Sequence, residues 1–243
     1  MTARGWAQRE KFLGALERVL AEARPRKAYY PGAEDRWRTF SDGRADVRTF
    51  GTPGEDVLPW TLITGVDPDG GTEQAYAMEC FCPILYETQV GSPDPVEFLD
   101  RAVTFANERL WGTLSAGLVV HPKTMKDPRL AEATERAIAR LRYGAVSVNA
   151  WSGYLFAFGT PPWGAHPSSS PADIQSGSGW VHNTAMLEGI EKAVLRHPIM
   201  IKPKPVTFPS HRTAHTVMRR LTALEERASW RKLPAVLLAA LRA

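Results

Sequence analysis

The sequence predicts an α/β fold in which helices flank a sheet of parallel-type strands. The strongest indication is that apolar runs of strand length alternate with stretches of helical periodicity between residues 84 and 149. The composition agrees, because 44% apolar and 23% charged residues are ordinary globular values. Two cysteines are too few for a disulfide framework. We therefore expect a folded globular protein rather than a disordered or disulfide-stapled chain.

The first third of the chain begins with a predicted helix. Apolar residues recur at helical spacing over residues 6–23. Residues 27–30 are a short strand candidate, and the polar residues 31–57 indicate a loop with one or two helical turns. The apolar run 60–66 then predicts a buried strand.

Three strands alternate with two helices in the middle of the chain. The predicted order is strand 84–90, helix 96–107, strand 114–120, helix 128–141 and strand 145–149. Asp94 should cap the first of these helices, and Pro95 suits its first position. Gly144 is predicted to end the second helix. Such an alternation is typical of parallel strands joined by helical crossovers.

The amino-acid composition of the chain changes after residue 149. Residues 150–180 are rich in Gly, Pro, Ser and aromatic side chains and predict a long loop, which is ordered because aromatic side chains gain most from burial. A proline-rich joint and two helical stretches, 214–228 and 234–241, follow. We divide the chain into an α/β part, residues 1–198, and a helical C-terminal extension, residues 199–243.

Charge is unevenly distributed although the net charge is only +4. Residues 51–100 contain 10 acidic and no basic side chains, whereas residues 196–243 contain 10 basic and 2 acidic ones. The basic tail is either a solvated helix face or a surface that docks an acidic region. Interleaved aromatic side chains, which single-strand binding needs, are nearly absent from it, so we predict no nucleic-acid partner.

Several common chemistries have no motif here. The sequence has no glycine-rich dinucleotide fingerprint, no phosphate-binding loop and no nucleophile elbow. Cys80 and Cys82 lack further ligands at zinc-site spacing, so we predict no metal. No apolar run is long enough to span a bilayer, and the first residues do not form a secretory signal. These observations predict a cytoplasmic protein without a membrane partner.

Glu79 is the most informative polar residue in the acidic segment. It stands just before an aromatic residue and the strand that starts at residue 84, and no basic residue lies near it in sequence. A carboxylate in this position can accept hydrogen bonds from ribose hydroxyls or act as a base. It is equally compatible with a surface charge at the end of a strand.

Five segments resemble the aldehyde dehydrogenase superfamily in order and spacing. Glu-Cys-Phe-Cys-Pro-Ile-Leu, residues 79–85, resembles the family's Glu-x-Phe-Gly-Pro signature. The other four similar segments are the helix 96–107 together with Trp111–Leu118, then Arg140–Asn149, Pro162–Gly164 and Ser176–Gly179. The resemblance extends from about residue 60 to about residue 198.

The resemblance implies a function and four site residues. Members of the family use NAD or NADP to oxidise an aldehyde to a carboxylic acid through a cysteine nucleophile. By resemblance, Glu79 would hold the nicotinamide ribose and Phe81 would pack near the nicotinamide. Trp163 would line the substrate tunnel, and Asn149 would lie in the adjoining pocket.

The departures from the family imply a partial enzyme. The family's nucleophile, general base, oxyanion-hole asparagine and nucleotide-binding domain all precede the glutamate signature by more than the 78 residues present here. Neither Cys80 nor Cys82 is the nucleophile by position, and Cys82 replaces a family glycine. We therefore expect no catalytic residue in this chain, which would work with an upstream half or as a homo-oligomer. The alternative is a non-catalytic interaction module that docks through its basic tail.

Overall fold

The computed structural model describes residues 1–70, 73–202, 204–208 and 210–242. Its helices are α1 (Arg9–Glu22), α2 (Ala33–Ser41), α3 (Gln74–Ala77), α4 (Pro95–Glu108), α5 (Pro128–Arg140), α6 (Gly153–Phe158), α7 (Ala214–Glu226) and α8 (Leu233–Ala240). Its strands are β1 (Thr2–Ala3), β2 (Val47–Phe50), β3 (Trp60–Val66), β4 (Ile84–Val90), β5 (Ser115–Leu118), β6 (Ala145–Val148), β7 (Trp163–Gly164), β8 (Trp180–Val181) and β9 (Ala193–Arg196). The mixed α/β class with parallel strands and flanking helices is confirmed.

The first sheet has the strand order β1-β4-β3-β2. Strand β4 is parallel to both of its neighbours, β1 and β3, and β2 is antiparallel to β3. The register of β3 and β4 shifts between Ile63 and Val66. Gly65, at this bulge, has φ of +70°, a conformation that glycine adopts without strain.

The second sheet is entirely parallel and has the order β5-β6-β9. Its central strand β6 is buried along its whole length, as expected for a parallel strand with both faces covered. A separate antiparallel pair, β7 and β8, lies between β6 and β9 in the chain.

Helix α4 lies between the two sheets. Val103 and Ala106 belong to an apolar cluster with α5 and β6, whereas Phe105 packs with residues of the first sheet such as Ile63. The start of α4 follows the predicted capping, because the Asp94 carboxylate accepts hydrogen bonds from the amides of residues 96 and 97, both at 3.0 Å. The two sheets therefore share one helix as part of their cores.

Several sequence predictions were wrong in detail. Residues 27–30 do not form a strand and contribute one isolated bridge, between Lys27 and Val57. Residues 31–57 contain all of α2 and also the strand β2. Helix α5 ends at Arg140 rather than near Gly144, because the backbone of Leu141 is already extended, with ψ of 124°.

The predicted loop 150–180 is partly regular. It contains the short helix α6 and both strands of the β7–β8 pair. The predicted C-terminal helices are confirmed as α7 and α8, which pack together through Val217, Val236 and Ala239. Within the ranges described above, no helix combines the length and apolar character needed to cross a membrane.

Candidate functional site

The segment from Glu79 to Pro83, which we call the thiol turn, leads from α3 into β4. The Glu79 side chain is exposed, and no hydrogen bond or ion pair to it occurs within the described residues. Its carboxylate is therefore open to a ligand.

Phe81 forms the tip of the thiol turn. Its φ of +46° lies in the left-handed region, which is unusual for an aromatic residue. Its exposed ring lies edge-on to the Tyr30 ring, with 5.1 Å between centroids, and Tyr30 stacks on Tyr29 at 4.7 Å. The thiol turn thus presents a group of exposed aromatic rings beside the Glu79 carboxylate.

Asn149 follows β6, and its side chain binds the backbone of Val120, two residues after the end of β5. Its side-chain amide donates to the Val120 carbonyl at 2.9 Å, and its side-chain oxygen accepts from the Val120 amide at 2.7 Å. Its φ of +60° reverses the chain direction, a conformation that asparagine tolerates better than most residues. Both polar groups of the amide therefore hold the carboxyl ends of two parallel strands together.

Trp163 opens β7 and is half-buried. Its ring contacts Phe156 edge-on, with 5.9 Å between centroids, and it packs on the cluster of Ala145, Leu155 and Ala193. Phe156 also contacts His182 at 5.0 Å. Trp163 is thus the inner member of an aromatic group whose outer members are exposed.

A cleft of about 640 Å³ lies next to this aromatic group. Its walls are mostly apolar and include Leu155, Pro162 and Ile190, together with the polar residues Glu191 and Lys192. The Lys192 ammonium donates to three carbonyls at the end of α5 and pairs with the Glu191 carboxylate, so its charge is already engaged. The cleft can take a mainly apolar molecule.

Four of the family-like segments meet at one place, which we call the glycine junction (Gly112, Thr113, Gly144, Gly164 and Ser176). The Thr113 carbonyl accepts from the Gly144 and His166 amides, each at 3.0 Å. The Thr113 amide in turn donates to the Ser176 hydroxyl at 2.9 Å. These bonds connect the stretch around Thr113 to three others that are far apart in sequence, around Gly144, His166 and Ser176.

Two glycines of the junction, Gly144 and Gly164, have no room for side chains. A Cβ on Gly144 would lie 1.9 Å from the Gly164 carbonyl oxygen, and one on Gly164 would lie 2.2 Å from the Gly179 carbonyl oxygen. Both obstacles are backbone atoms, which cannot rotate away. Sequence reasoning missed the parts played by Thr113 and Ser176, although both stand inside the family-like segments.

The predicted site residues fall into two groups. Glu79 and Phe81 belong to the thiol turn at the first sheet, whereas Asn149 and Trp163 belong to the second sheet. Across residues 1–70, 73–202, 204–208 and 210–242, no hydrogen bond, ion pair or aromatic contact joins one group to the other. The same ranges contain no group of three or more His, Cys, Asp or Glu side chains that could hold a metal ion.

Comparison with protein-family models and with curated proteins found no match. No protein-family model matches the sequence, and no curated protein matches it significantly. The functional argument therefore depends on the residues and their arrangement.

Proposed function

We propose that this chain supplies the later part of the catalytic domain of an NAD(P)-dependent, aldehyde dehydrogenase-like oxidoreductase, which converts an aldehyde to a carboxylic acid. The glycine junction is the observation that carries the proposal. Four segments that resemble the family in sequence order also pack against one another through hydrogen bonds and close glycine contacts.

The close contacts make this observation more specific than the order of motifs. A glycine in a loop is often interchangeable, but Gly144 and Gly164 face backbone carbonyls at distances that admit no side chain. Their positions in the family-like segments therefore have a steric reason. A chance resemblance of short motifs would not require the motifs to fit together in this way.

The thiol turn has the chemistry that a nicotinamide cofactor needs. The exposed Glu79 carboxylate can accept hydrogen bonds from the ribose hydroxyls, and the exposed rings of Phe81 and Tyr30 can pack beside the nicotinamide. NAD or NADP, when bound, supplies the hydride acceptor for aldehyde oxidation.

The substrate side of the proposal involves the second sheet. Trp163 packs against Leu155, which also lines the apolar cleft, so a hydrocarbon chain could lie near its ring. Asn149 would shape the adjoining pocket through the backbone that it holds. We assign no catalytic residue to this chain, and an upstream half or a second copy would complete the active site.

Reconstitution tests the proposal. The chain is assayed for reduction of NAD and NADP with a panel of aldehydes, alone and mixed with the protein encoded directly upstream of it. We expect aldehyde-dependent NADH or NADPH formation only in the mixture. Robust turnover by the chain alone would contradict its incompleteness, and no turnover in either arm would contradict the proposal.

A variant pair assigns the cofactor contact. Glu79→Gln should raise the KM for the cofactor about tenfold or more, because hydrogen bonds to a charged acceptor contribute roughly 1.5–3 kcal/mol. Glu55→Gln is the matched control, since Glu55 is an exposed glutamate outside the thiol turn. Equal KM values for the two variants would remove Glu79 from the cofactor site.

A non-catalytic interaction module is the second candidate, and the tail favours it. Among the described residues of the extension 199–243, no Lys or Arg side chain forms an ion pair. The same extension exposes Trp230, Leu237, Leu238 and Leu241. Recovery of a partner by the full chain but not by a chain ending at residue 198 would support docking through the tail, and equal recovery by both would oppose it.

A further inference from the structure

We propose that Cys80 and Cys82 form a reversible dithiol–disulfide switch that hydrogen peroxide oxidises, with Cys82 as the reactive thiol and Cys80 as the resolving thiol. The proposal concerns the thiol turn itself and holds whether or not the chain binds a nicotinamide cofactor.

The backbone of the thiol turn brings the two thiols together. The Cys80 and Cys82 side chains are both partly exposed, and Phe81 is the single residue between them. A fully extended segment would hold the two Cα atoms roughly 6.6 Å apart, near the upper limit for a disulfide. The left-handed Phe81 between them bends the chain and brings them nearer. Such a strained residue is characteristic of functional turns.

Arg36 supplies a positive charge to Cys82. Its positive charge contributes to lowering the pKa of the Cys82 thiol, and one of its terminal nitrogens donates to the Pro31 carbonyl at 2.7 Å. Its Nε is buried and has no hydrogen-bond partner within the described part of the chain. The same part of the chain holds no carboxylate paired with Arg36, so its charge remains available to an anionic sulfur.

The surroundings make the two thiols unequal. Hydrogen bonding to Cys80 lowers the pKa of Cys82, the positive charge of Arg36 lowers it further, and partial burial opposes both effects. The pKa of Cys80 is raised, first by its hydrogen bond with Cys82, then by burial and by the negative charges of Cys82 and Glu79, while a hydrogen bond with Tyr86 opposes the rise. Of the two thiols, Cys82 therefore loses its proton more readily, and the thiolate is the form that reacts.

The oxidation balances with peroxide as the only added reactant. The Cys82 thiolate attacks one peroxide oxygen, an S–O bond forms, the O–O bond breaks, and the departing hydroxide takes up a proton as water. The Cys80 sulfur then attacks the Cys82 sulfur as its thiol proton leaves. The S–S bond forms, the S–O bond breaks, and the second hydroxide leaves as water with that proton. Two thiols lose two electrons in total, and one peroxide becomes two waters.

The resulting disulfide should be easily reduced. It closes a ring around a single residue, so it gains little from loop closure and forces geometry on a short turn. An external dithiol would restore both thiols by exchange. Oxidation and reduction at this turn would also change the positions of Phe81, which lies between the two cysteines, and of Glu79, which precedes them.

Mass spectrometry of the full chain tests the switch. Treatment with hydrogen peroxide should remove two hydrogens per chain, link residues 80 and 82 within one peptide, and be reversed by dithiothreitol. Cys80→Ser should stop at a sulfenic acid on Cys82 that dimedone traps. Cys82→Ser should consume peroxide much more slowly. Disulfides only between chains, or labelling of Cys80 in preference to Cys82, would overturn the proposal.

The pH profile of alkylation tests the role of Arg36. In the wild-type chain, iodoacetamide should modify Cys82 faster than Cys80 from neutral pH downward. Arg36→Met should slow the modification of Cys82 at pH 7 roughly tenfold and move its profile to higher pH. Arg38→Met, an exposed arginine of the same helix, is the control and should leave the profile in place. Equal profiles for both variants would contradict the assignment of Arg36.

Discussion

The two sheets of this protein are held in place by different forces. In the first sheet, the buried Glu87 carboxylate on β4 accepts hydrogen bonds from Thr2, from Arg9 at 2.9 and 2.6 Å, and from the Gly65 amide at 2.9 Å. In the second sheet, Gly144 packs directly on the Gly164 carbonyl, and no ionisable side chain is buried in β6. The first sheet is therefore stabilised by a buried charged carboxylate and its donors, whereas the second sheet is stabilised by close contacts between backbone segments.

The difference predicts how each sheet fails. A buried carboxylate with several donors is stabilising only while it is ionised, so the first sheet should be sensitive to acid. A steric contact does not depend on pH, but it tolerates no added atom. The sheet that carries the glycine junction should therefore be the more sensitive to substitution, and the sheet beside the thiol turn the more sensitive to pH.

The largest effect should come from Gly144→Ala. The added Cβ would meet the Gly164 oxygen at 1.9 Å, and the backbone must shift to make room. We expect a loss of roughly 3–5 kcal/mol in the free energy of unfolding, at the upper end of overpacking effects. Urea or guanidinium denaturation measures it.

Gly14→Ala is the opposite control for this prediction. Gly14 lies inside α1, and its Cβ would meet only an arginine side chain, at 3.8 Å. Alanine there should stabilise the protein by about 0.5–1 kcal/mol through helix propensity. If Gly144→Ala were as well tolerated as Gly14→Ala, the glycine junction would lose its steric explanation.

In acid, the first sheet should lose the contribution of Glu87 to the free energy of unfolding, which is slightly smaller than the loss expected for Gly144→Ala. Burial raises the pKa of Glu87, but the donors Arg9, Thr2 and Gly65 outweigh burial and lower it from 4.5 to about 2. Because the folded-state pKa is the lower one, the contribution is complete above pH 4.5 and disappears as pH falls from about 4.5 to 2. A shift of this size corresponds to about 3 kcal/mol.

The contribution of the Glu87 carboxylate is measured from the unfolding free energies of wild type and Glu87→Gln between pH 7 and pH 2. The difference between the two proteins should be largest at pH 7 and shrink steadily below pH 4.5. Arg9→Met should flatten the pH dependence in the same way and cost about 3 kcal/mol at pH 7, because it leaves a buried carboxylate without its cation. A constant difference over the whole pH range would show that Glu87 contributes only by packing.

The sequence predicted the local elements of both sheets better than their assembly. The apolar runs 60–66 and 84–90 and the Asp94 cap depend on neighbouring residues, and the structure has them where they were predicted. The separation into two sheets, the strands β1 and β9, and the ion pair of Arg9 with Glu87 depend on residues that are far apart in sequence. Spacing and periodicity carry no information about such pairings.

The sequence likewise does not predict which residues of the candidate site contact one another. The sequence shows no basic neighbour of Glu79, and the described structure likewise contains no hydrogen bond or ion pair to its carboxylate. Gly144 was assigned to the end of a helix because glycine there is common, whereas its real reason is a carbonyl contributed by residue 164. The segments that resemble a family include the residues of the glycine junction, but only the fold shows what each of these residues touches.

The smallest of these effects should come from Lys192, the charged residue that supports the second sheet. Its ammonium donates to the carbonyls of Ala139 and Leu141 at 2.7 and 2.6 Å, at the C-terminal end of α5, and it directly precedes β9. Lys192→Met should cost about 1–2 kcal/mol, through lost hydrogen bonds and the lost interaction with the helix dipole. Lys126→Met, at an exposed lysine, should cost less than about 0.5 kcal/mol. Since the backbone carbonyls that Lys192 contacts do not titrate, the loss for Lys192→Met should not fall with pH in the way expected for Glu87→Gln. A loss that fell with pH in parallel with that of Glu87→Gln would show that the two sheets do not differ in the way their charges act.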